Sequence, residues 1–223
     1  MAIQLYIGFI GEGKTDTKFL SEIITNTFTE TALDCHGDVI VEDIVMLKVK
    51  NNSFVEMMIE ASKNAYESGL SILCIHADAN RKTFDDVFDN KFKPLYERLR
   101  NLDSKLYCMN IVAVIPITET ESWMLADKKL LKEKINAKDK TDTDLGIEKE
   151  PESYADPKLA IENAIRIAQQ GKTKKRRHDL SIADLYEELG QAISIEKLKN
   201  IPSFCRFEEN VRNAFIKKGY LLP

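Results

Sequence analysis

The four cysteines, Cys35, Cys74, Cys108 and Cys205, form no C-x-x-C pair. That argues against a zinc site or a paired redox centre and leaves free thiols as the expectation. No apolar run is long enough to cross a bilayer, and no basic segment followed by an apolar stretch opens the chain. A cytoplasmic protein is the expectation. Basic charge is not in excess either: 32 Lys and Arg face 36 Asp and Glu, a formal net charge of −4. A surface that coats nucleic acid broadly is thereby excluded, and any such contact is local. There is no internal repeat, so no repeat array is expected.

What is present is an ordinary globular composition, 43% hydrophobic and 30% charged. At 223 residues the chain can form one α/β domain with an appendage, or two small domains. Strand-like runs alternate with amphipathic ones. "IQLYIGFI" reads as a buried strand, after which Phe19, Leu20, Ile23, Ile24 and Phe28 recur at helical spacing behind the cap-like Thr15. "DVIVEDIVML" is strand-like, and Phe54, Met57, Met58, Ala61 and Ala65 mark a second helix. "LSILCIHAD" suits a central parallel strand, "FKPLYERLRNL" a helix and "NIVAVIPI" a fourth strand. The order β-α-β-α-β-α-β predicts an α/β fold with a mostly parallel four-stranded sheet covered by helices. Ligands then gather at the carboxyl ends of the strands.

Past Ala126 the strand signals stop, leaving a core over residues 1–130 and a helical C-terminal region over 131–223. Residues 137–156 are polar and acidic without an apolar period and read as a loop. Helices are expected over Pro157 to Gln170, Ser181 to Leu189 and Phe207 to Lys218, with Gly219 as a stop. A second loop, 171–178, carries Lys172, Lys174, Lys175, Arg176, Arg177 and His178.

"GFIGEGKT" supports two chemistries. Counted from Gly8 it is G-x-x-x-x-G-K-T, a phosphate-binding P-loop in which Lys14 would clamp phosphates, as in a nucleotide kinase. Yet Phe9 and Ile10 continue the strand pattern, and the Glu12 carboxylate would repel a triphosphate. Counted from Glu12 it is E-G-x-T-D, a carboxylate between a strand and a helix. "IHADAN" then places Asp78 and Asn80 at the third strand end, and "IPITETESWMLAD" places Glu119 and Glu121 past the fourth. Hard oxygen ligands converging from strand ends suit Mg2+ or Mn2+ and phosphoryl-transfer chemistry.

Three motifs in this order, "EGKTDTKFL", "DAN" and "PITETESWMLAD", resemble the Toprim superfamily. The likeness is greatest to compact stand-alone Toprim-like proteins of bacteria and archaea, related to OLD-family nucleases. It covers residues 1 to about 130, and "IPSFCRF" near the end resembles a C-terminal motif of the same group. The resemblance implies a metal-dependent nuclease cleaving phosphodiester bonds of DNA or RNA, with a role in phage or plasmid defence and a partner ATPase protein. Glu12 corresponds to the general acid/base or metal ligand, Asp78 to the first aspartate of D-x-D and Glu121 to the glutamate of the third cluster. Asn80 departs from the pattern, supplying a neutral oxygen where the family has a second aspartate. Glu119 completes the implied metal set, and Lys14 and His76 are supporting residues.

Plainer readings stand beside these. Glu12 could serve the positive end of the following helix. Asp78 and Asn80 could form a turn. Glu119 or Glu121 could enrich a first helical turn, and His76 could be a hydrogen-bonded core residue. Trp123, the single tryptophan, reads as a core anchor between the two parts. The basic run is either a grip on phosphate backbones or a solvated loop. If Asn80 marks a lost activity, the chain is a non-catalytic module that binds nucleic acid or protein.

Overall fold

The computed structural model describes residues 2–11, 13–50, 53–170 and 180–222. The chain is α/β, as its alternating pattern predicts. Four strands, β2 (Ile7–Ile10), β4 (Val45–Met46), β5 (Ile72–His76) and β6 (Ile111–Val114), form a parallel sheet in the order β4-β2-β5-β6. β1 (Ile3–Leu5) and β3 (Val39–Val41) pair in parallel beside it.

The first two strand-like runs are thus each divided in two. Ile3 faces Val39 whereas Gly8 faces Val45, so five steps on one side match six on the other. One extra residue between β3 and β4 bends the pair, as a bulge does. At the bend the Tyr6 carbonyl turns to accept from Ser71 N at 2.8 Å.

Side chains of the central strands alternate between two cores, because successive residues of a strand face opposite ways. Ile7, Phe9, Ile72, Cys74, Val112 and Val114 enter one apolar cluster, whereas Ile10, Leu73, Ile75, Ile111 and Ala113 enter the other. Both faces are buried, which is why these strands read as continuous apolar runs. The second cluster is closed by α2 (Phe54–Glu67) and α4 (Lys93–Arg100). A short α3 (Phe84–Val87) and a π-helical turn over Phe88–Phe92 precede α4.

The first cluster is closed by α1 (Lys14–Ala32) together with the helices that follow β6. These are α5 (Glu121–Met124), α6 (Lys128–Lys134), α7 (Asp142–Leu145), α8 (Pro157–Gln169), α9 (Ile182–Ala192), α10 (Ile195–Leu198) and α11 (Pro202–Lys217). One apolar cluster therefore joins Phe9 and Phe19 to Phe204, Phe207 and Phe215. α9 lies so close to α1 that a Cβ on Gly190 would stand 3.0 Å from the Phe19 carbonyl oxygen. Gly219, at φ 73°, follows α11 as the expected stop.

The stretch 137–156 differs from the loop expected. It holds α7 and a 3-10 turn at Pro151–Ser153, and Ala137, Leu145, Ile147 and Tyr154 are buried in the first cluster. Thr141 and Asp144 form a capping box that starts α7 without any apolar period. All four cysteines are free: Cys74 and Cys108 are buried, Cys35 is half-buried and Cys205 exposed. Among the described residues no helix is long and apolar enough to cross a membrane.

Candidate metal centre at the strand ends

The β5–β6 ladder does not stop where the strands do. Ala77 N donates to Val114 O, Ala79 N to Pro116 O and Asn80 N to Thr118 O, at 3.1, 3.2 and 3.0 Å. The two loops that carry the second and third motifs are zipped together in this way. Asn80 (φ 49°), Arg81 (φ 66°) and Thr118 (φ 66°) turn the chain through the left-handed region, which asparagine tolerates better than most residues.

Asp78 stands at the mouth of this zipper, its side chain 18% exposed. Its Oδ1 lies 3.0 Å from Nε2 of the fully buried His76. A carboxylate only accepts, so Nε2 carries the proton and the ring fixes the carboxylate. Glu119 comes from the adjoining loop, and its buried Oε2 has no hydrogen-bond partner among the described residues. Burial holds the Glu119 carboxyl above its ordinary range, and the nearby carboxylates of Asp156, Asp78 and Asp16 push it further the same way, opposed by Lys158. Negative charge is concentrated around a partly desolvated oxygen.

Two residues of the expected metal set make hydrogen bonds of their own. Glu121, the first residue of α5, is 3% exposed and accepts a hydrogen bond from the Tyr186 hydroxyl of α9. One of its two carboxylate oxygens is thereby engaged by the protein interior. Its carboxyl is raised by burial first, with the Tyr186 bond acting in the opposite sense and the Glu119 and Asp16 carboxylates adding to the rise. Asn80 is exposed, and its amide bonds locally to the Asp78 carbonyl oxygen at 3.4 Å, as a turn former would. Glu12, the side chain of Lys14 and the basic run Lys172, Lys174, Lys175, Arg176, Arg177 lie outside the described residues.

The structure adds acids that the motif reading did not assign. Asp16 lies in the first turn of α1, and its carboxylate folds back over Gly13, where a Cβ would collide with it. It is the final letter of E-G-x-T-D, so the signal was in the motif. Asp156 caps α8, accepting from Leu159 N at 2.7 Å, and its place before Pro157 marks it as a cap. Nothing in the sequence pointed to Tyr186.

The third motif meets the C-terminal one. Trp123 is fully buried between Phe204 and Phe207, and its indole N–H donates to Ser203 Oγ at 2.8 Å. The core-anchor reading of Trp123 fits this contact. Ser203 N in turn donates to Glu152 Oε1 at 3.1 Å.

Asp78 and Glu119 fit a hard divalent cation on two grounds: the unpartnered buried oxygen and the mutual crowding of carboxylates. Among the described residues no three His, Cys, Asp or Glu side chains form a complete ligand set. Mg2+ does not demand one, since it keeps several waters and binds through one or two carboxylates. The P-loop geometry is absent over its first three residues, because Gly8, Phe9 and Ile10 are paired strand residues whose amides do not curl around a phosphate.

Comparison with protein-family models, with curated proteins and with solved structures gave no match.

Proposed function

We propose that the chain is a Toprim-like phosphodiester hydrolase that uses Mg2+ or Mn2+ to cut DNA or RNA. The observation that carries the reading is the zipper between β5 and β6, which delivers Asp78 and Glu119 to one partly buried acidic spot at the carboxyl ends of a parallel sheet. Such ends are where α/β sheets bind ligands. A divalent ion bound there supplies the positive charge that a phosphoryl group needs as it reacts. Asp78 and Glu119 hold it, His76 keeps the Asp78 carboxylate oriented, and Glu12 serves as base or further ligand. The basic run grips the phosphate backbone, and the resemblance extends the proposal to phage or plasmid defence with a partner ATPase protein.

The test is cleavage of plasmid, single-stranded DNA and RNA in each metal. Mn2+ supports more activity than Mg2+, because a site with Asn80 in place of an aspartate draws the ion less strongly and Mn2+ binds such sites more tightly. Asp78→Ala and Glu12→Gln abolish cutting while circular dichroism stays native. A wild-type protein that cuts nothing in either metal overturns the proposal.

One observation favours a second reading, a non-catalytic module that binds nucleic acid or protein. The Glu121 carboxylate is bonded to Tyr186, so one oxygen of an expected ligand is engaged by the protein interior. Nucleic-acid binding without metal-dependent cleavage would establish it.

A further inference from the structure

His76 also lines a cavity of about 850 Å3. It opens between the end of β2, the segment that follows β4 and the start of α2. Its walls include Met46, Phe54, Met57 and Met58, and Lys48 and Lys50 stand on its rim. Both lysines are exposed, and no ion pair holds either among the described residues. Thr17 and His76 add polar groups to the lining, and the His76 side chain is fully buried. With Nε2 bonded to Asp78, the second ring nitrogen, Nδ1, has no hydrogen-bond partner among the described residues. It lies against Gly11, where an added Cβ would come within 3.9 Å of it and 2.8 Å of Thr17 Cγ2.

We propose that this cavity takes one nucleotide of a single-stranded substrate. A flat heterocycle fits between thioethers and a phenyl ring, which offer polarizable faces. His76 Nδ1, buried and without a hydrogen-bond partner among the described residues, meets the polar edge of the base. The lysines meet the phosphate as point charges. A base held in a pocket has left its stack, and a single strand gives up the least pairing to put it there. The same imidazole touches the metal-binding carboxylate and the base, linking recognition to the strand ends. This deepens the hydrolase proposal and rests on it for the cutting step, but the binding is measurable without metal.

The experiment is calorimetry of the full chain in EDTA with nucleoside monophosphates, the matching nucleosides and ribose phosphate. Nucleotides bind best, nucleosides more weakly and ribose phosphate least. Lys48→Ala with Lys50→Ala weakens nucleotides about fivefold and leaves nucleosides unchanged, as expected for two exposed charge contacts. Met57→Trp fills the cavity and removes both. His76→Asn lowers nucleoside affinity, and the exposed lysine pair keeps the test valid if that variant fails to fold. Equal binding of ribose phosphate and nucleotide, or indifference to Met57→Trp, overturns the proposal. Metal-dependent cleavage without nucleotide binding removes the pocket and spares the hydrolase. Nucleotide binding by a protein that cuts nothing removes the hydrolase and keeps the pocket.

Discussion

Tyr186 of α9 donates its hydroxyl to the buried carboxylate of Glu121, a residue 65 positions earlier that opens α5. The bond ties the loop past β6 to the C-terminal helices, and the buried acceptor makes it costly to lose. Tyr186→Phe leaves that carboxylate without its donor and should cost about 1–3 kcal/mol. Glu121→Gln keeps an acceptor oxygen and removes the desolvated charge, so it should cost less. Urea denaturation of both variants measures this, and an unchanged midpoint for Tyr186→Phe would refute it.

The acids divide into two groups that act in separate pH windows. Glu119 and Glu121 are raised, chiefly by burial, above the 4.5 of an ordinary glutamate. The folded state therefore holds their protons more tightly than the unfolded chain does. Their contribution to stability is fully present below pH 4.5 and is lost as pH rises through the raised values. Asp86, Asp144 and Asp184 behave oppositely. Each accepts from its capping Thr or Ser and is lowered from 3.8, so its contribution is present above that value and lost as pH falls below it. Thermal unfolding of the double variant Glu119→Gln, Glu121→Gln should show a flatter decline above pH 4.5 than the parent, with the acid limb unchanged. An identical slope above that point would contradict the assignment.

The parallel sheet and the long helices were legible because their apolar residues recur with the period of a strand or a helix. Phe19, Leu20, Ile23, Ile24 and Phe28, read as one helical face, are all fully buried. The break at Tyr6 was not legible, since a one-residue bulge depends on pairing register rather than on the residues themselves. The anchoring of 137–156 was missed because Ala137, Leu145, Ile147 and Tyr154 are spaced unevenly and show neither a helical nor a strand period. At the site, the motifs placed Asp78 and Glu119 correctly at neighbouring strand ends. They could not show that Glu121 turns inward, because a one-turn helix such as α5 has no second turn to define its buried face, and its partner lies in another part of the chain.

Trp123 offers a direct view of how the two parts of the chain depend on each other. Its indole N–H bonds Ser203, and its ring packs against Phe204 and Phe207 of α11. Ser203→Ala leaves a buried donor unpaired, at a cost of about 1–3 kcal/mol. Because the single tryptophan sits in an apolar cluster shared by the sheet, α1 and α11, unfolding followed by its fluorescence should coincide with unfolding followed by far-ultraviolet circular dichroism. Two separated transitions would mean that the C-terminal helices come away on their own.

The divalent-ion proposal discriminates between two neighbouring glutamates that the motif alone treats alike. Glu119 has a buried oxygen without a hydrogen-bond partner among the described residues, whereas Glu121 is bonded to Tyr186. Mn2+ affinity, read from the electron paramagnetic resonance of the free ion, should therefore fall at least about tenfold in Asp78→Asn and in Glu119→Gln, a loss of about 1.4 kcal/mol each. Glu121→Gln should leave it nearly unchanged. Asn80→Asp should raise it, because a carboxylate placed two residues after Asp78 adds formal charge beside the ion. A large loss in Glu121→Gln together with none in Glu119→Gln would mean that the ion binds elsewhere, and the centre at the β5–β6 zipper would have to be abandoned.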